Sequence, residues 1–151
     1  MRVLFDTVVL VRGLINPGSR WGRLLFEQAS SYTWIVSPSI VDEYLEVLRR
    51  LRIVRKYRDI ETRNLAAMLD LIATAVVVQP ASIPAICRDP EDDKFLAAAM
   101  AGSVRFIVTE DMDLLDIGIY EKIAIISAEA FLRLLDADEI SQDSSTDATS
   151  D

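Results

Sequence analysis

At 151 residues, 51% of them apolar and 26% charged, the chain has room for one domain with a core large enough to need no cross-link. Its single cysteine, Cys87, excludes an internal disulfide, and the absence of histidine excludes imidazole acid–base chemistry and most zinc sites. The net charge of −8 argues against a polyanionic partner, but residues 136–151 hold six acids and no base; without them 16 bases face 18 acids, a net of −2.

Taken in chain order, the apolar run RVLF at 2–5 reads as a strand, with Asp6 directly after it and a helix starting at Thr7 that Asp6 would cap. Asp6 and Arg12 interrupt VLFDTVVLVRGLI and no small-residue cleavage site follows, so it does not read as a signal peptide. No stretch reaches the ~20 apolar residues that span a bilayer, and the expected location is the cytoplasm. Residues 18–30 are expected to form a further helix, before a second strand in YTWIVS at 32–37.

Ser37 and Pro38 then open a helix over 38–52, with Ile40, Tyr44, Leu48 and Leu51 as its apolar stripe. At ~100° per residue, Glu43 falls about 110° from the centre of that stripe, at its border, whereas Asp42, Glu46 and Arg49 fall near the opposite side. Seven bases follow closely: Arg49, Arg50, Arg52, Arg55, Lys56, Arg58 and Arg63. They make either a solvated helix face or a phosphate-binding surface. A helix over 60–73 leads to a third strand in TAVVVQ at 74–79.

Next comes RDPEDDKFLAAAMAG, where Asp89, Glu91, Asp92 and Asp93 crowd ahead of an alanine-rich helix over 91–101 that Gly102 stops. First-turn acids complement the helix dipole, which accounts for one or two of them and leaves the rest without a partner. Strands in VRFIVT at 104–109 and KIAIIS at 122–127 follow, then a helix from Ser127 to about residue 135. The remainder, 136–151, has the composition of a disordered acidic tail.

Five β-rich runs alternating with helices predict a parallel sheet covered on both faces, and ligands of such sheets bind outside the carboxyl ends of the strands. Asp6, Glu43, the Asp92 and Asp93 pair, and Asp111 with Asp113 in VTEDMDLL all fall at that end. Singly, each has a plain role: Asp6 as a cap, Glu43 as a surface acid, Asp111 or Asp113 as the cap of a short turn before Leu114. Jointly they would repel one another unless a cation sat between them. In a chain without histidine that cation is a hard one, Mg²⁺ or Mn²⁺, whose paired form at about 3.5–4 Å clamps phosphodiester hydrolysis.

In order, LFDTVVLV with Asp6, SPSIVDEYLEVL with Glu43, RDPEDDKFLAAA with Asp92 and Asp93, and VTEDMDLL with Asp111 resemble the motifs of PIN-domain ribonucleases. The likeness covers roughly residues 2–135 and is strongest to the VapC-like branch of toxin–antitoxin toxins. It implies an α/β/α sandwich around a five-stranded parallel sheet in a nuclease domain at 1–135, with the tail at 136–151. It also implies an acidic pocket for Mg²⁺ or Mn²⁺ and cleavage of single-stranded RNA by metal-activated water, leaving a 3′-hydroxyl and a 5′-phosphate. A cognate antitoxin and a homodimer belong to the same expectation. Carried over, Asp6, Glu43, Asp92, Asp93 and Asp111 would be catalytic metal ligands, with Thr109 and Asp113 in supporting positions; between Asp92 and Asp93 the motif spacing does not choose.

One departure stands out: where the resemblance leads one to expect Asn two residues after the first aspartate, this chain has Val8. Loss of such a supporting polar group lowers metal affinity or activity by about 10–100-fold. A PIN domain that binds RNA or protein without cutting is therefore the competing reading. A phosphoacceptor receiver domain fits poorly, because Asp6 stands alone after the first strand and the third ends in Gln79 and Pro80 with no acceptor aspartate.

Overall fold

Three-residue and four-residue runs of Val, Ile, Leu and Phe with no polar break build the centre of the molecule, as expected of strands buried on both faces. A computed structural model describes residues 1–54 and 60–147. Its strands are β1 (Arg2–Phe5), β2 (Thr33–Val36), β3 (Val76–Val77), β4 (Phe106–Val108), β5 (Ile119–Tyr120) and β6 (Ile123–Ile126). They form one sheet in the order β3-β2-β1-β4-β6-β5, parallel throughout except for β5 against β6.

The sheet therefore has six strands where the sequence suggested five. The addition is a hairpin whose turn is Glu121 and Lys122, with Glu121 at φ 54. It lacks the Asn-Gly or Asp-Gly pair by which such turns are usually recognised, and two residues carry no periodicity. The third strand, read from six residues, pairs only through Val76 and Val77 at the sheet edge.

The helices are α1 (Thr7–Ile15), α2 (Arg20–Gly22), α3 (Pro38–Ile53), α4 (Thr62–Thr74), α5 (Asp93–Ala101), α6 (Met112–Ile117) and α7 (Ala128–Asp147). The single helix expected over 18–30 is instead α2 followed by a π turn at Arg23–Glu27 and a 3₁₀ turn at Ala29–Ser31. Helix α3 buries the stripe read from its sequence, Ile40, Tyr44, Leu48 and Leu51, each side chain of that size stabilising by about 1.5–3 kcal/mol. The Tyr44 hydroxyl donates to the Phe5 carbonyl and so ties α3 to the end of β1.

Helix α5 stops at Gly102, but not through a left-handed cap: Gly102 has φ −90, and the positive φ falls on Ser103. A Cβ on Gly102 would lie 2.5 Å from Ile35 Cγ2, so close packing on β2 is what demands glycine here. Helix α7 was expected to end near residue 135 and to give way to a disordered tail. It continues to Asp147, with no Gly or Pro to interrupt it. No helix among the described residues is long and apolar enough to cross a membrane.

Candidate functional site

The chain runs outward from β1 to β2 and β3 on one side and from β4 to β6 on the other, so the strand order reverses between β1 and β4. A crevice at such a switch point, outside the carboxyl ends, is where ligands of open α/β sheets bind. Both flanking strands end in acids here. Asp6 follows β1, its backbone N–H held by the Val108 carbonyl at 3.0 Å, and Asp111 lies three residues beyond β4 as the N-cap of α6.

The Asp6 carboxylate is 6% exposed and makes no capping bond to α1; its Oδ2 accepts instead from Thr109 Oγ1 at 2.7 Å. Thr109 Oγ1 in turn accepts from the Asp111 N–H at 3.0 Å, which links the two strand ends through one buried hydroxyl. The capping reading does hold for Asp111, whose Oδ1 accepts from the Asp113 N–H at 2.9 Å. Two further acids reach the same crevice: Glu43 from the second turn of α3, and Asp92 from the 3₁₀ turn Pro90–Asp92 ahead of α5.

Asp6, Glu43, Asp92 and Asp111 thus line one cleft of about 690 Å³. Val8, Val11 and Ile15 from α1 and Val47 of α3 add apolar lining, and Arg12 and Arg50 line the cleft too. Val8, at the position where the family motif would supply Asn, is 39% exposed in this cleft. Glu46 also lines it, although its helical angle pointed away; the Arg49 and Arg50 side chains, 2.8 and 3.0 Å from its Oε1, hold its carboxyl down at about 2.

The electrostatics of the four acids differ from those of an ordinary surface. Burial raises the Asp6 carboxyl above its usual value, with the Asp111 charge pushing the same way and the Thr109 hydroxyl opposing. Burial likewise pushes Asp92 up to about 6, aided by the charges of Asp111, Asp6, Asp89 and Glu43. Among the described residues no base pairs with Asp6, Asp92 or Asp111; Glu43 alone has one, Lys94, with Nζ 2.7 Å from Oε1.

The two remaining candidates are not in the cleft. Asp93 is 5% exposed and spends its Oδ1 on the N–H groups of Ile86 and Cys87, at 3.1 and 2.7 Å, bonds that hold its carboxyl below the usual range. Burial, with the Asp93 carboxylate beside the side chain, pushes the Cys87 thiol up to about 12. Asp113 turns to Arg88, 3.3 Å away. The pair that the motif spacing left undecided is therefore separated by position: Asp92 faces the cleft and Asp93 faces the backbone.

Sequence reasoning missed Thr7 and Lys94. Thr7 Oγ1 donates to Glu43 Oε2, so both Glu43 oxygens are held. The signal for Lys94 was its place three residues after Glu91, which it approaches at 3.8 Å. Of the seven bases in the basic run, Arg55, Lys56 and Arg58 lie outside the described residues. Trp34 and Phe26 serve the core, whereas Trp21 lies between Arg12 and Arg20, its Nε1 donating to Glu110 Oε1 at 3.0 Å.

The donor set fits a hard divalent cation: four carboxylates in one cleft, three without a basic partner, and no nitrogen or sulfur ligand among them. Among the described residues no three such side chains already surround one ion position. That is compatible with Mg²⁺, which keeps several waters and takes only one or two carboxylates directly.

A family model described as PIN domain matches residues 2–113, and the chain belongs to that family. PIN domains are generally nucleases that use divalent metal ions. The chain is 32% identical over 121 residues to the uncharacterized protein MJ1680 of Methanocaldococcus jannaschii, covering 78% of this chain and 75% of that protein. In fold it is similar to PAE2754 from Pyrobaculum aerophilum, with a TM-score of 0.56 at 15% identity over 91% of this chain and 99% of the other. It is also similar to a chain of VapBC2 from Rickettsia felis, solved bound to a DNA fragment from their promoter. That match has a TM-score of 0.54 at 11% identity, over 84% of this chain and 98% of the other.

Proposed function

We propose that this protein is a Mg²⁺- or Mn²⁺-dependent endoribonuclease that hydrolyses single-stranded RNA in the cytoplasm, the toxin of a toxin–antitoxin pair. The observation that carries this reading is the convergence of Asp6, Glu43, Asp92 and Asp111 on the cleft at the switch point of the sheet. Asp6, Asp92 and Asp111 would hold the cation, with Glu43 beside them. Such an ion, when bound, lowers the pKa of a water and stabilises the leaving oxygen of a phosphodiester.

The chain's own groups prepare the site for that task. Thr109 fixes the orientation of Asp6 and of the Asp111 backbone at once. Arg12, 5.0 Å from the Trp21 ring centre, lines the cleft and would offer its guanidinium to a substrate phosphate. The nuclease domain occupies 1–135, with 136–151 as an appendage. The likeness to the VapBC2 structure supports a cognate antitoxin as partner, and the family resemblance supports a homodimer.

The test is cleavage of a mixed-sequence single-stranded RNA with Mn²⁺ or Mg²⁺, by wild type and Asp6→Asn, with and without EDTA. Metal-dependent cleavage that disappears in Asp6→Asn is the expected result. Wild-type activity no greater than that of Asp6→Asn would favour the second reading, a binding module that does not cut. Exposed Val8 in the cleft and the Lys94 ammonium on Glu43 are the observations on that side.

A further inference from the structure

One acid of the cleft, Glu43, already has a cation on it: among the described residues Lys94 is the base in ion-pair distance of it, 2.7 Å from Glu43 Oε1. It is not a loose surface lysine. Its side chain is 16% exposed, its Nζ lies 5.6 Å from the Phe95 ring centre, and Glu91 stands 3.8 Å away on the solvent side. The other Glu43 oxygen accepts from Thr7 Oγ1, and Thr7 is itself 8% exposed and adjoins Asp6. A continuous chain of contacts thus joins the starts of α1 and α5 through Glu43 on α3.

We propose that Lys94 is a positioning residue that takes the place of a second divalent ion: it fixes Glu43 and limits the RNA-free site to one ion on Asp6, Asp92 and Asp111. The inference rests on the metal-dependent reading of the cleft given above. Its physical basis is charge and space. With Glu43 paired to Lys94 and Glu46 to Arg49 and Arg50, the charge left for an ion is that of Asp6, Asp92 and Asp111, which one divalent ion largely neutralises and two would exceed. Glu43 is the acid that would be left to hold a second ion, and both its oxygens already accept from a donor, one of them charged. The three acids left without a basic partner are the set that one ion can relieve.

The experiment is calorimetric titration of the full chain with MnCl₂ in the absence of RNA, on wild type, Lys94→Arg and Lys94→Met, each first checked for a cooperative thermal melt. Wild type and Lys94→Arg should bind one Mn²⁺ per chain. Lys94→Met should bind two, and adding Glu43→Gln to it should abolish the second. Should Lys94→Met fail to fold, Lys94→Gln replaces it with the same expected count. Two ions on wild type, or one on a folded Lys94→Met or Lys94→Gln, would overturn the role assigned to Lys94 and leave the nuclease reading standing. No Mn²⁺ on wild type would overturn the metal-dependent reading, and this inference with it. A lysine that merely supported the fold would change the melting temperature and not the count.

Discussion

Two acidic stretches of this chain, residues 89–93 and 136–147, both lack any base and have opposite fates. In the first, every acid has a distinct task. Asp89 Oδ1 accepts from the Glu91 N–H at 3.0 Å, Glu91 lies near Lys94, Asp92 faces the cleft and Asp93 anchors the backbone at Ile86 and Cys87. In the second, Asp138 and Glu139 stand on exposed turns of α7, past the last core residue, Leu135. What separates the two is topology. One stretch lies at the start of α5 beside the carboxyl ends of β1 and β4, where burial and neighbouring charge raise the Asp92 carboxyl; the other projects beyond the core, where water screens it.

The contrast breaks most visibly in activity. Asp92→Asn should lower RNA cleavage by at least ~100-fold, while a chain ending at residue 135 should cleave at the wild-type rate, measured with Mn²⁺ on one RNA. If loss of the tail mattered as much as loss of Asp92, the difference between the stretches would be wrong. Next in size is stability within the first stretch. Asp93→Ala leaves two part-buried N–H groups without their charged acceptor and should cost about 1–3 kcal/mol by urea unfolding, with Asp93→Asn costing less.

A smaller effect concerns pH. Asp92 carries a folded-state pKa of about 6 against an ordinary 3.8, and that of Asp6 is also raised. Raised carboxyls bind protons more tightly in the folded chain, so their contribution is fully present below about 3.8 and is lost as pH climbs through about 6. The metal-free protein should therefore melt a few degrees higher at pH 5 than at pH 7, and Asp92→Asn should flatten that trend. Removing the tail should not flatten it. Smallest of all, truncation at residue 135 should change stability at pH 7 by less than about 0.5 kcal/mol, because residues 137–145 are all exposed.

Much of this was legible in the sequence where periodicity and burial agree. The α3 stripe, the five parallel strands and the order of the acids along the chain follow from local pattern, because a buried parallel strand must be uninterrupted and a helix must present one apolar face. What stayed illegible depends on contacts between segments far apart in sequence. Nothing local distinguishes Asp92 from Asp93; the choice is made by two N–H groups of a loop six or seven residues upstream. Thr7 and Lys94 matter through Glu43, 36 and 51 residues away. The hairpin at β5 and the helical course of the tail were missed for the opposite reason, since their signals are local but weak.

The central claim is that the cleft acids cluster because they hold a cation, and anomalous diffraction from a crystal soaked in MnCl₂ would test it most directly. The account predicts a manganese peak between Asp6, Asp92 and Asp111. A fully occupied soak with no peak there, or with manganese only along the acidic face of α7, would contradict it.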